Sequence, residues 1–568
     1  MKNFTLTSTL VALAIFYSCK KDATIHTTHT LTHNGQTTKE QPIQEKLTDE
    51  PNDEFKVQNT DMQKHKRAAP KREPVVWDLN PMRYDEENSE GDLDDAYAIP
   101  HNTESYTYTE ENIFKTPIEA PLSTFSIDVD EASYTNCRRH LENGSLPPPD
   151  AVRVEEFINY FDYEYPQPSD GSPFAVSTEY AMCPWNNKNR LLHIGIQGKK
   201  YEWKELKPMN LVFLIDVSGS MDEPNKLPLL KESFKLLISQ LRPQDRVAIV
   251  VYAGAAGLVL PSTSDKKTIS SAVEQLNAGG STAGGAGIQL AYKIAKDNFI
   301  ENGCNRVILA TDGDFNVGQS SDGEMTRLLE DKRKEGIYLT TLGFGMGNYK
   351  DSKMESMADK GNGNNFYIDS FDEARKILVT DLGSTLYTIA KDVKIQVEFN
   401  PSVVASYRLV GYENRKLNNE DFNDDTKDAG ELGAGHTVTA IYEIVPPENS
   451  TDKLRVDPLK YQTNKVKRAL GNELATIKLR YKTPTTETST MVTHTIRNKV
   501  ALGKETSMNF NFSAAVASFG MLLRDSKFKG DSNFDQVLTW ALASQGADPE
   551  GYRSDFIRLV EIAKTLKN

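Results

Sequence analysis

The sequence predicts an α/β protein: a doubly wound, mostly parallel sheet inserted in a β-rich flanking scaffold, with a C-terminal helical segment. Three observations predict it. Between residues 208 and 391, short continuous apolar runs alternate with stretches of helical periodicity, the pattern of a parallel sheet covered on both faces. Segments that alternate apolar with polar residues, as half-buried strands do, lie on both sides of that region. From residue 501 to 568, apolar residues return at three- and four-residue spacing.

A chain of 568 residues exceeds one ordinary core, and its length suggests roughly three to four domains. Phosphate binding needs a concentrated basic surface, and a formal charge of -14 argues against one, so no nucleic-acid partner is expected. Residues 1–18 read as a lipoprotein signal peptide. Lys2 supplies the positive start, Phe4 to Tyr17 an apolar stretch too short to span a bilayer, and Phe16-Tyr-Ser-Cys19 resembles a lipobox. On that reading Cys19 is the lipidated first residue and anchors the chain to a membrane of the bacterial envelope, in the periplasm or at the surface. Residues 19–116, rich in Thr, Gln, Asn and charge, read as a disordered tether. Its His26, His29 and His33 lack Cys or carboxylate neighbours at ligand spacing and read as solvated side chains.

Residues 122–207 form an N-terminal flanking α+β region. A strand pattern begins at Ser123, a helix covers Ala132 to Leu141, and a second helix opens near Asp150 after Pro147-Pro-Pro149. Val154, Phe157, Ile158 and Phe161 give that helix its apolar stripe, and strands follow at Phe174 to Ala181 and Arg190 to Gln197. In the central region, 208–391, strands are expected at Leu211–Asp216, Val247–Tyr252, Val307–Thr311, Ile337–Phe344 and Asn365–Ile368. Ser321 with Glu324, and Ser370 with Glu373, fit capping boxes for two intervening helices. Residues 392–500 turn to β pattern, at Val393–Phe399, Thr437–Val445 and Leu474–Tyr481. In the last segment, helices are expected at Ala514–Leu523, Phe534–Ala543 and Pro549–Leu566. Cys137 and Cys183 can bridge in an oxidising compartment or remain buried thiols like Cys304.

Ligands of doubly wound sheets sit at the carboxyl ends of the strands. There the apolar run Asn210–Ile215 ends in Asp216-Val-Ser218-Gly-Ser220, one carboxylate and two hydroxyls able to share a divalent cation. Gly279-Gly-Ser-Thr282 and Thr311-Asp312-Gly313 bring a third hydroxyl and a second carboxylate to the same edge. Hard oxygen donors suit Mg²⁺, with Ca²⁺ and Mn²⁺ as alternatives. Five side chains, Asp216, Ser218, Ser220, Thr282 and Asp312, some acting through water, make a cage of low charge that leaves room for an outside oxygen. A carboxylate presented by a protein partner is the natural sixth ligand.

These five positions resemble the metal-ion-dependent adhesion site of von Willebrand factor type A (VWA) domains, with its Asp-x-Ser-x-Ser, distant Thr and distant Asp. The stretch Pro147-Pro-Pro-Asp-Ala-Val-Arg-Val-Glu-Glu-Phe-Ile-Asn-Tyr-Phe resembles the N-terminal flank of bacterial VWA lipoproteins. Ile389-Ala-Lys-Asp-Val-Lys-Ile-Gln-Val-Glu-Phe-Asn-Pro and Gly433-Ala-Gly-His-Thr-Val-Thr-Ala are similar to their C-terminal flank. The resemblance implies metal-dependent binding of a protein partner. It also implies a two-state site in which Thr282 and Asp312 exchange direct for water-mediated contact.

Other chemistries fit less well. A phosphoryl-transfer enzyme with Asp216 as nucleophile places a second Asp two residues on, where this chain has Ser218. Ser218 and Ser220 lack an activating base, since no His occurs from Ile194 to Gly435. Gly284, Gly285 and Gly287 precede no Lys-Ser/Thr pair and so make no phosphate loop. A metal-dependent hydrolase would have only Asp314 and Glu324 nearby as base, and no catalytic residue is assigned. A purely structural envelope protein, with no switching, is the remaining alternative. Asp314 and Asn316 either shape the rim of the site or turn the chain, and Asp421, Asn423, Asp425 and Glu431 match a calcium loop poorly because Thr426 stands where glycine is needed.

Overall fold

A computed structural model of the chain describes residues 103–280, 284–313, 315, 322–450, 472–501 and 505–567. The signal sequence with Cys19, the three tether histidines, Thr282, Asp314, Asn316 and Ser321 lie outside the described residues. The described residues from Thr103 onward fall in one compact unit.

The N-terminal flank contributes β1 (Leu122–Ser126), β2 (Phe174–Met182) and β3 (Arg190–Gly198). The central region contributes β4 (Met209–Asp216), β5 (Arg246–Tyr252), β6 (Ala256–Thr263), β7 (Cys304–Thr311), β8 (Ile337–Phe344) and β9 (Asn365–Ile368). The C-terminal flank adds β10 (Thr388–Phe399), β11 (Ser406–Val410), β12 (Gly430–Gly433), β13 (Thr437–Val445), β14 (Glu473–Lys482) and β15 (Thr490–Arg497).

The central sheet has the order β6-β5-β4-β7-β8-β9 and is parallel except for the edge strand β6. Its strands are apolar on both sides because both faces are covered. Leu211, Phe213 and Ile215 of β4 enter one core with Phe234, while Val212 and Leu214 enter another with Tyr252 and Tyr292. Helices α3 (Leu227–Gln240), α4 (Lys266–Glu274), α5 (Gly284–Asp297), α6 (Asp322–Lys334) and α7 (Asp351–Lys360) supply the covers, and α8 (Phe371–Arg375), a π turn and α9 (Leu382–Leu386) lead out. At α8, half of the expected capping box is present: Ser370 Oγ accepts from Glu373 N, but the Glu373 carboxylate turns away to Arg138.

Two antiparallel sheets form the scaffold, each mixing both flanks. One has the order β11-β13-β3-β2, with Ile441 opposite His193; the other has the order β1-β10-β14-β15, with β12 also on β10. Between them lies a core of Ile194, Ile196, Ile395, Val397, Tyr442, Ile477 and Leu479. The insertion of the central domain into a scaffold made by both flanks is therefore the observed architecture. The opposite face of the first sheet is covered by helices from both ends of the chain. These are α1 (Ala132–Glu142) and α2 (Val154–Asn159) from the N-terminal flank, with α10 (Met508–Leu523), α11 (Phe534–Ser544) and α12 (Tyr552–Lys567). Phe161 packs edge-on against Phe512 and Phe556, so the C-terminal helices complete the N-terminal flank's core.

Both covalent connections of the central domain meet at the start of β7. There Cys304 N–H donates to Pro208 O at 2.9 Å, and Cys304 Sγ donates to Leu386 O at 2.9 Å.

Three expectations are corrected. Residues 103–116, expected to belong to the tether, are part of the folded body: Thr103 N–H donates to Gly347 O, Lys115 exchanges backbone bonds with Tyr407, and Asn112 Nδ2 donates to Gly411 O. Phe114 anchors this stretch on Phe528, apolar area that a composition argument averages away. The helix expected from Asp150 begins at Val154, because Pro149–Ala151 forms a separate 3₁₀ turn. Strand β10 starts at Thr388, before the boundary expected at 392. The three described cysteines, Cys137, Cys183 and Cys304, are buried and free, so Cys137 and Cys183 are not bridged.

Candidate metal centre

Strand β4 carries Asp216 to the sheet edge, and the parallel neighbour β7 does the same for Asp312, with Ile215 in register with Ala310. Both carboxylates are fully buried. Asp216 is held from three directions: Ser218 N–H donates to Oδ1 at 2.9 Å, and the hydroxyls of Tyr252 and Thr311 each donate to Oδ2 at 3.1 Å. After Asp216 the chain leaves the sheet in an extended turn, and the hydroxyls of Ser218 and Ser220 come within 3.1 Å of each other. That turn is fastened to the loop leading toward Thr282. Gly219 N–H donates to Gly280 O at 3.1 Å, and Gly279 N–H to Val217 O at 2.7 Å. After Asp312, Gly313 has φ +99, and a Cβ there would lie 2.7 Å from Tyr349 Cα, so the turn tolerates no side chain.

The structure thus gathers Asp216, Ser218, Ser220 and Asp312 at one edge; Thr282 lies outside the described residues. Whether these atoms suit a divalent cation can be judged from their spacing. Adjacent corners of an Mg²⁺ octahedron with ligands at ~2.1 Å are about 3 Å apart, and the two serine hydroxyls stand at that separation. Burial, with the Asp312 charge adding to it, raises the Asp216 carboxyl above its usual range, against the lowering effect of Ser218 and Thr311. A cation between the two carboxylates would remove that penalty. Among the described residues no group of three or more His, Cys, Asp or Glu is gathered, so hydroxyls have to supply the rest of any shell. The residues fit a hard, oxygen-liganded ion: Ser218, Ser220, Asp216 and Asp312 would hold it, and it would supply a positive charge for an incoming carboxylate.

Sequence reasoning missed Thr311, Tyr252 and Lys226 at this edge. Thr311 and Tyr252 end apolar strands and read as core. Lys226, in a polar run before a helix, carries the signature of a solvated residue, yet it is 3% exposed and its Nζ donates to Ser220 O at 3.0 Å and Asp312 Oδ2 at 3.3 Å. A cavity of about 480 Å³ opens elsewhere, lined among others by Asp128, Asp130, Arg333, Arg415 and Glu431. Arg415 pairs there with Asp128 at 3.2 Å and Asp130 at 2.7 Å.

Comparison with known proteins places this geometry in context. Residues 210–380 match the family model of the von Willebrand factor type A domain, and residues 100–193 one described as von Willebrand factor. Residues 384–566 match the model described as uncharacterized protein YfbK, C-terminal. The protein YfbK of Escherichia coli (strain K12) is 44% identical over 473 residues, 81% of this chain and 81% of its own length. Among solved structures, a von Willebrand factor type A protein from Catenulispora acidiphila is 16% identical, covering 71% of this chain and 91% of that one with a TM-score of 0.38. Proximal thread matrix protein 1 from the mussel byssus, whose structure is described with a zinc-occupied MIDAS motif, is 26% identical, covering 30% of this chain and 44% of that one at a TM-score of 0.25.

Proposed function

We propose, on the premise that this chain belongs to the YfbK family of VWA-domain proteins, that it binds a protein partner through a divalent cation at the edge of its central sheet. The ion is Mg²⁺, with Mn²⁺ and Ca²⁺ as substitutes, and the partner contributes an acidic side chain. The observation that carries the reading is the convergence of Asp216, Ser218, Ser220 and Asp312 on two adjacent strand tips, with the serine hydroxyls 3.1 Å apart. Thr282 is proposed as a further ligand, since the backbone before it is fastened to the Ser218 turn. The reading is recognition: His193 and His436, the histidines that bracket the central region, lie in the scaffold strand β3 and just before β13. Lipidation at Cys19 holds the chain at a bacterial envelope membrane in the same proposal, with the low-complexity N-terminal stretch as its spacer.

The test is affinity capture from solubilised envelope with the full chain as bait, in Mg²⁺ and then in chelator. Partners released by chelation, and never captured by Asp216→Ala, are expected; retention through chelation contradicts the reading. In parallel, Mg²⁺ at a hundred times its Kd should stabilise the wild type by about 2.7 kcal/mol in thermal melts and leave Asp216→Ala unmoved.

A further inference from the structure

Lys226 is buried beside two carboxylates, an environment that lysine enters only when paired. Its side chain runs from the residue before α3 past the tip of β8 to that of β7. Just after β8, Gly345 has φ +73, and a Cβ on it would sit 2.2 Å from Lys226 Cε and 2.7 Å from Cγ. The glycine therefore makes the groove in which the lysine lies. At its end, Nζ meets Ser220 O at 3.0 Å, Asp312 Oδ2 at 3.3 Å and the exposed Glu223 Oε1 at 3.5 Å. One fixed positive charge thus sits on a carboxylate that a divalent ion would use. It also sits on the carbonyl of a residue whose hydroxyl would be a ligand.

We propose that Lys226 is a tethered cation that competes with the divalent ion for Asp312, so that ion uptake requires the ammonium to leave that carboxylate. The inference rests on the ion-site reading above. Two cations sharing one buried carboxylate repel strongly where water does not screen them. Without the ion, Lys226 neutralises Asp312 and ties Ser220 to β7, which keeps the donor loops in register. Ion affinity is then the intrinsic affinity reduced by the fraction of molecules in which Asp312 is released. The arrangement makes the centre selective for high ion concentration, and Lys226 the residue that sets the threshold.

The full chain, freed of metal by chelation, is titrated with Mn²⁺ and the free ion read by electron paramagnetic resonance. Lys226→Met, which keeps the length of the side chain against Gly345 but removes its charge, is expected to bind about tenfold tighter than wild type or better. Asp216→Ala is expected not to bind. Equal or weaker binding by Lys226→Met, with Asp216-dependent binding intact in the wild type, overturns the tethered cation and leaves the ion site standing. Absence of Asp216-dependent binding in both wild type and Lys226→Met overturns the ion site and this inference with it. Should Lys226→Met fail to fold, as judged by near-ultraviolet circular dichroism, peptide-resolved acylation of wild-type Lys226 decides. Saturating Mg²⁺ is expected to raise its labelling, and unchanged or reduced labelling overturns the proposal.

Discussion

His193 shows how burial alone turns one side chain into a pH-dependent element. It lies on the helix-covered side of β3 near Phe510, with Nε2 at 3.1 Å from the Tyr165 hydroxyl, and burial lowers its pKa from 6.5 to about 4. Because the unfolded chain then binds the proton more tightly, the stability that neutral His193 contributes is complete above pH 6.5 and is lost as pH falls toward 4. The difference in unfolding free energy between wild type and His193→Gln is expected to shrink by up to about 2 kcal/mol between pH 7 and pH 5, measured by urea denaturation at both pH values. A pH-independent difference would mean that His193 titrates normally. The same logic of concealed environment explains which site residues the sequence disclosed. Asp216, Ser218, Ser220 and Asp312 were legible because glycines and apolar strands flank them in a recognisable order. Lys226 was not, because its partners are set by a fold in which Gly345, more than a hundred residues later, opens a path for its side chain.

The elements differ in how plainly they are written. Strands β4, β7 and β8 are buried on both faces and appear as predominantly apolar stretches without strict alternation, and their ends were legible to within a few residues. Strand β6 was not. It is an edge strand with Leu258 and Val259 exposed, its ladder to β5 is broken by register shifts, and Pro261 interrupts its pattern. The short β11 and β12 were missed for a related reason, since neither is long enough to show a period. Helix α8 is held by ion pairs as well as by its Ser370 cap. Arg138 of α1 reaches Asp369 and Glu373 at 2.6 and 2.7 Å, and Lys376 reaches Glu131 at 2.7 Å and Asp381 at 2.8 Å, so the exit of the central domain is pinned to the N-terminal flank. Burial raises the Glu373 carboxyl, and Arg138 opposes that rise. Arg138→Met leaves these buried acids without their counter-charge and is expected to cost about 3–5 kcal/mol in urea denaturation. The double variant Arg138→Met/Glu373→Gln should recover part of that loss, and a single-variant cost below about 1 kcal/mol would show the pairs to be energetically idle.

Taken whole, the described chain is held together by its two ends. Phe556 of α12 packs on Phe161, Phe512 and Phe519, which joins the last helix to the N-terminal flank. Phe556→Ala is expected to cost about 3–5 kcal/mol, and hydrogen exchange should quicken together in α2, α10 and α12. Faster exchange in α12 alone would mean that the flanks are separate bodies. Pairing of residues 190–197 with residues 437–444 closes the scaffold around the inserted domain; the sequence disclosed the insertion through β pattern on both sides, but not which strands pair or in what register. The meeting of Pro208, Cys304 and Leu386 at the base of β7 carries a mechanical consequence. Asp216 and Asp312 stand at the far ends of β4 and β7, so tension on anything gripped there runs lengthwise down two neighbouring strands toward the point of attachment. Because the two strands run parallel and are loaded side by side from tip to foot, the pull passes straight down the backbone of β4 into Pro208, and the bonds at Cys304 tie the foot of β7 to that same anchorage.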